Sequence, residues 1–85
     1  MAKYRVLIKA SAAKELEALP KKDRGAVAKR IEALGDNPRP PGCQKLSGDD
    51  KYRIRQGSYR ILYIIEDEEI VVVVVRIGHR RDVYR

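Results

Sequence analysis

Phenylalanine and tryptophan are absent from this chain, and it holds a single cysteine, Cys43, and a single histidine, His79. Each shortage closes off a class of structure or chemistry. Without Phe or Trp, the core has to come from Ile, Val, Leu, Ala and the five Tyr. A lone Cys rules out a disulfide within the chain, and one His with one Cys argues against a transition-metal site. No apolar run approaches the roughly 20 residues that a transmembrane helix needs. Residues 1–9 alternate like a strand, where a secretory leader would be continuously apolar. No phosphate-cradling glycine loop, zinc spacing or Ser-His-acid set occurs. The expectation is a cytoplasmic protein without metal, cofactor or membrane partner.

What the chain has in excess is positive charge. Nineteen Lys and Arg against 12 Asp and Glu give a net charge of +7 and a pI of 9.8, which favours an acidic partner. Its 85 residues suit one domain, 1–85, of a size that buries only around 60–65% of the unfolded chain's surface.

Residues 4–9 are rich in β-formers and read as a first strand. Ser11 is a good N-cap for a helix through Leu19, with Ala12, Leu16 and Leu19 on one face. Pro20 ends that helix or begins the next. The second helix spans 21–34, with Val27, Ile31 and Leu34 on one face and Gly35 as the C′ residue. Lys21, Lys22, Arg24, Lys29 and Arg30 read as its solvated outer face, partly neutralised by Asp23 and Glu32; a phosphate-steering surface is the second reading. Asn37-Pro38-Arg39-Pro40-Pro41-Gly42 cannot continue a regular element and forms a stiff crossing loop.

Three further strands follow at 52–56, 59–66 and 69–77, separated by two-residue turns at Gly57-Ser58 and Asp67-Glu68. A two-residue turn fixes which residues oppose each other. Arg55 then faces Arg60 and Arg53 faces Leu62; across the second turn, Arg60 faces Val75 and Tyr59 faces Arg76. Arg53, Arg55 and Arg60 share one face. Directly opposed like charges cost a sheet about 0.2–1 kcal/mol, so this arrangement suits a polyanion and does nothing for the fold. The two later strands, apolar on both faces, should be central. The fold class is α+β, in the order β-α-α-β-β-β: a four-stranded, mainly antiparallel sheet with a helical hairpin packed on one face. If the helices cover Ile54, Tyr59, Ile61, Tyr63 and Ile65, the arginine face stays open.

The tail from Gly78 onward leaves the sheet at the edge that carries the first turn. His79, Arg80, Arg81, Tyr84 and Arg85 therefore emerge beside Arg55 and Arg60. Guanidiniums offer phosphate paired planar donors and keep their charge when partly buried. Tyr84 can stack on an unpaired base. His79 is the one side chain of the type that exchanges protons near neutral pH. Asp49, Asp50 and the acids at 66–69 read as solvated turns rather than magnesium ligands.

These segments together resemble the RelE family of toxins, within the wider RelE/ParE group of toxin–antitoxin modules. The resemblance runs over nearly the whole chain: the helical hairpin, Gln44-Lys45-Leu46-Ser47-Gly48, Tyr52-Arg53-Ile54-Arg55, Tyr59-Arg60-Ile61-Leu62-Tyr63, the valine strand and Gly78-His79-Arg80-Arg81-Asp82-Val83-Tyr84. It implies an endoribonuclease that cuts mRNA in the ribosomal A site by attack of a 2′-hydroxyl on the adjacent phosphate. It also implies a cognate RelB-like antitoxin that silences the toxin in a hetero-oligomer. By the same resemblance Arg60 stabilises the transition state, Arg80 contacts the scissile phosphate and Tyr84 orients the nucleotide. Arg53 and Arg55 stand where the best-known members carry two lysines, one of them assigned as general base. Arginine is a poor base, so His79 is expected to transfer the proton while Arg53 and Arg55 grip phosphate. Lys45, Arg76, Arg81 and Arg85 complete the basic surface expected to hold RNA. A ParE-like toxin that inhibits DNA gyrase by binding, and a non-catalytic protein-binding module of the same fold, are the alternatives.

Overall fold

The computed structural model describes residues 3–46 and 50–79. Strand β1 (Arg5–Ile8) leads into helices α1 (Ala10–Glu17) and α2 (Lys21–Ala33). Strands β2 (Gln44–Lys45), β3 (Lys51–Gln56), β4 (Tyr59–Glu66) and β5 (Val71–His79) follow. The sheet order is β1-β5-β4-β3-β2, with β1 parallel to β5 and every other pair antiparallel. The α+β architecture matches the sequence reading except in strand count. All four expected strands are present; the fifth, β2, is two residues long, too short to leave a periodic pattern.

The helical hairpin lies on one face because its apolar stripe has one place to go. Ala12, Val27, Ile31 and Leu34 meet Ile54, Ile61, Tyr63, Val72, Val74 and Ile77 in a buried core, and Tyr59 and Ile65 pack against it. α1 starts one residue before Ser11, with Lys9 as N-cap, because the Lys9 N–H is still bonded to the Val74 carbonyl across the sheet at 2.9 Å. Pro20 sits at the N-cap of α2. Gly35 does follow that helix, but a close approach is what requires glycine there. A Cβ would lie 3.0 Å from the Tyr4 carbonyl and 3.3 Å from Val6 Cγ2, where β1 docks through a 2.8 Å bond from the Tyr4 N–H to the Gly35 carbonyl.

The first hairpin has the expected register, with Arg55 facing Arg60 and Arg53 facing Leu62. Gly57 takes a φ of 61°, a conformation that costs glycine little. The second hairpin departs from expectation twice. Its turn is four residues, 67–70, with Glu66 facing Val71, instead of Asp67-Glu68 alone. The register then slips between Leu62 and Tyr63: Tyr63 faces Val74 while Leu62 faces Arg76. Val75 is the extra residue of a β-bulge. As a result Arg60 faces Gly78 and not Val75, Tyr59 faces His79 and not Arg76, and the strand spans Val71–His79 in place of 69–77.

Tertiary contacts hold the longer turn. The Asp67 carboxylate accepts the Tyr4 hydroxyl at 2.7 Å and two Arg39 N–H groups at 3.1 and 2.8 Å. At the other end the Ile70 carbonyl accepts the Arg5 N–H at 2.9 Å. Ile70 is thereby held at φ 56°, a left-handed conformation costing a side chain with a Cβ about 1–2 kcal/mol. Arg39 also donates from Nε to the Tyr52 hydroxyl at 3.3 Å and lies 5.3 Å above that ring's centroid. Beneath it Tyr63, stacked on Tyr52, donates to the Pro38 carbonyl at 2.7 Å. Burial holds the Tyr63 hydroxyl well above its ordinary pKa.

Hydrogen bonds from Arg39, and then from Tyr4, lower the Asp67 pKa to about 2. A carboxyl depressed in the folded state contributes stability above its unfolded pKa of about 3.9, and that stability is lost as pH falls through the folded value. Asp67→Asn is therefore expected to lower the thermal midpoint at pH 7. Its deficit relative to the parent should close as pH falls from about 4 to about 2, as followed by circular dichroism melts; a deficit that stays constant over that range would contradict the assignment.

Candidate nucleic-acid interface

On the sheet face opposite the helices, three strands bring arginines to one end. β3 supplies Arg53 and Arg55, β4 supplies Arg60, and β5 supplies Arg76. Arg55 directly opposes Arg60, and Leu62 is the cross-strand neighbour of both Arg53 and Arg76. Leu62 is only 5% exposed although it lies outside the helix-packed core. Its cross-strand neighbours on both sides, Arg53 and Arg76, have long aliphatic stems of the kind that can cover such a residue. The Nε atoms of Arg53 and Arg60 are buried, consistent with side chains that lie down along the sheet. Gln44 Oε1 accepts a hydrogen bond from Arg53, and Arg76 Nε lies 3.6 Å from Glu15 Oε2. Opposite Arg60 stands Gly78, which has no side chain.

Arg30 joins this group from α2. It is half-buried, and with Gly42, Gln44, Arg53, Ile54 and Arg55 it lines a cleft of 310 Å³. The outer-face reading holds for Lys21, Lys22 and Lys29, which are exposed, but not for Arg24, which is half-buried with a bond to the Glu17 carbonyl, or for Arg30. Its position carried the signal: it adjoins Ile31 and follows Val27 by three residues, on the flank of the buried stripe.

Other candidates stand apart from the arginine face. His79 ends β5 opposite Tyr59, with ring centroids 6.1 Å apart and nearly perpendicular planes. The bulge sets it on the helix side of the strand, at a cleft of 320 Å³ that it shares with Asp23, Gln56, Ser58 and Tyr59. There the Tyr59 hydroxyl donates to Asp23 Oδ2 at 2.9 Å, which raises the tyrosine pKa. Lys45 pairs with Tyr52 and lines a separate cleft with Arg39, Asp50 and Asp67. Arg80, Arg81, Tyr84 and Arg85 lie outside the described residues. Among the described residues no group of three His, Cys, Asp or Glu comes together as a metal site would need. Chemically, the face can bind a phosphodiester through several guanidiniums and stabilise negative charge that develops on it.

Residues 6–84 match the family described as ParE toxin of type II toxin-antitoxin system, parDE. The chain is 36% identical to Toxin RelG of Mycobacterium tuberculosis over 88 residues, covering 96% of this chain and 97% of that protein. Its fold is similar to that in the crystal structure of the toxin–antitoxin complex RelBE2 from the same organism, with a TM-score of 0.82, 31% identity, and 92% and 99% of the two chains covered. The archaeal RelE–RelB complex from Pyrococcus horikoshii gives a TM-score of 0.83 at 30% identity, covering 96% of this chain and 99% of that one.

For single-stranded nucleic acid, each phosphate contact contributes about 0.7 to the slope of log K against log salt. Arg60→Ala and Arg76→Ala are each expected to reduce that slope by about 0.7 in fluorescence titrations of single-stranded RNA, whereas Lys29→Ala on the exposed helix face should leave it unchanged. Equal effects from all three would mean diffuse attraction with no defined face.

Proposed function

The chain belongs to the RelE/ParE toxins of type II toxin–antitoxin systems, and from that premise we propose that it is an endoribonuclease that cleaves mRNA on the ribosome and so inhibits translation. The supporting observation is the gathering of Arg53, Arg55, Arg60 and Arg76 on one sheet face, with Arg55 directly opposite Arg60.

In the proposed reaction the 2′-oxygen attacks the adjacent phosphorus. The O2′–P bond forms and the P–O5′ bond breaks; the 2′-hydroxyl loses its proton and O5′ gains one, leaving a cyclic 2′,3′-phosphate and a free 5′-hydroxyl. Negative charge accumulates on the phosphorane oxygens. Arg60 stabilises that charge, in the place a divalent cation would take in a metal-dependent nuclease, while Arg53, Arg55 and Arg76 hold the flanking backbone. By family likeness Arg80 contacts the scissile phosphate, Tyr84 orients the nucleotide, and Lys45, Arg81 and Arg85 extend the RNA contact. Proton transfer is assigned to His79 for its chemistry; it ends β5 next to Gly78, the residue facing Arg60, with its ring on the helix side of the strand.

The similar structures named above are toxin–antitoxin complexes, and the same arrangement is proposed here. A RelB-like antitoxin with an acidic segment would complement the +7 charge and associate faster at low salt. No helix among the described residues is long and apolar enough to cross a membrane, and the proposed site of action is the cytoplasmic ribosome.

Primer-extension mapping in a translation extract is expected to show codon-dependent cuts. Arg60→Ala should reduce their rate by about 10²–10³, the loss typical of removing one donor from a developing oxyanion. Intact mRNA together with inhibition of supercoiling by purified gyrase would replace this reading with the ParE-like one. A separate measurement addresses His79: His79→Ala should remove the limb of the pH–rate profile that an imidazole contributes, and an unchanged profile would take proton transfer away from this residue.

A further inference from the structure

β1 stops at Ile8, opposite Val74. The bond from the Lys9 N–H to the Val74 carbonyl closes that seam, and β5 continues for five more residues, to His79. Beyond the seam the Ile77 N–H donates to Glu15 Oε1 at 2.9 Å. The other oxygen of the same carboxylate, Oε2, lies 3.6 Å from Arg76 Nε. Glu15 is half-buried on α1, the helix that starts directly after β1, so the chain brings a carboxylate over the sheet edge where strand pairing ends. It holds two consecutive residues of β5, one by its backbone and one by its side chain, immediately after the Val75 bulge.

On charge alone a carboxylate is unwelcome at this place, because it subtracts from the positive field of the arginine face. Geometry gives it a purpose. A bulge is a local register choice, and a slip of one residue carries every following side chain to the other face. We propose that Glu15 is a positioning residue for the phosphate-binding face: it stands in for the missing strand beside β5, pins the register after the bulge, and aims Arg76 through its Nε. The catalytic part of this proposal rests on the nuclease reading given above; the structural part does not.

Two variants separate its actions. Glu15→Gln keeps an acceptor for the Ile77 N–H and removes the charge, whereas Glu15→Ala removes both. The Ile77 amide should exchange on the order of tenfold faster with solvent in Glu15→Ala and stay near the parent rate in Glu15→Gln. In the ribosome-dependent cleavage assay, kcat should fall on the order of tenfold in Glu15→Ala and about threefold in Glu15→Gln, with KM raised in neither beyond what Arg76→Ala itself produces, since Arg76 is the one backbone contact that Glu15 aims. Unchanged Ile77 exchange in Glu15→Ala, or a parental kcat in either variant, overturns the proposal. Should Glu15→Ala not fold, Glu15→Gln decides alone, by a lower kcat with Ile77 still protected. If the parent chain cleaves no RNA, the nuclease reading fails by itself, and amide exchange still decides whether Glu15 pins the strand.

Discussion

The register of β4 against its two neighbours determines what the open face of this molecule is. On one side the Gly57-Ser58 turn fixes β3, so Arg55 meets Arg60 and Arg53 meets Leu62. On the other side the bulge at Val75 decides where β5 points. Before it, Val72 and Val74 enter the core; after it, Ile77 does. The parity of buried positions therefore changes within one strand. Had pairing continued unbroken, Arg76 would follow Val72 and Val74 into the apolar core, where an isolated cation costs several kcal/mol. The bulge removes that conflict and places Arg76 beside Leu62 on the arginine face. It also carries His79 to the Tyr59 side. Core packing and the charge pattern thus have one cause.

Opposite charges are kept far apart along the same strands. Asp67 is seven residues from Arg60, roughly 23 Å at the usual strand rise, which is nearly three Debye lengths at physiological salt. The acids of the second turn do not neutralise the arginine end. Asp67 instead serves the fold, bound by Arg39 and Tyr4. The tyrosines make this possible in a chain without Phe or Trp. Four rings fill or flank the core, and each hydroxyl ties down another element: Tyr4 reaches Asp67, Tyr52 receives Arg39, Tyr59 reaches Asp23 and Tyr63 reaches Pro38. A phenylalanine could supply the area but not the tether.

Elements with a strong period were legible in the sequence. Val27, Ile31 and Leu34 announce the buried face of α2, and Gly57-Ser58 announces the first hairpin with its register. The misses have specific physical sources. A two-residue strand such as β2 has no period to read. The second turn places isoleucine where a left-handed conformation would ordinarily select glycine or asparagine, so nothing in its composition marks its length. The bulge hides in Val71-Val72-Val73-Val74-Val75, where every position is apolar; Arg76, at the parity of Val72 and Val74, was the one visible clue. Arg30 reads as a surface residue by its charge, while its place beside Ile31 on the flank of the buried stripe of α2 sets it against the sheet. The roles of Arg80 and Tyr84 rest on family likeness alone.

Having arginine at 53 and 55, in place of lysines, divides the work of the proposed reaction. A lysine can hold phosphate and, when its pKa is lowered, also take a proton; an arginine does the first and not the second. The strands therefore supply a fixed field, assembled before substrate arrives, from Arg53 and Arg55 on β3 and Arg60 on β4. In the proposed reaction a phosphodiester would bring negative charge among these guanidiniums, and the additional charge of a phosphorane would be attracted more strongly, which is how such a face would favour the transition state over the ground state. Proton transfer has to come from outside the strand arginines. Of the candidates named, only His79 has a side chain of that chemistry, at the end of β5 beside Gly78 and on the helix side of the strand.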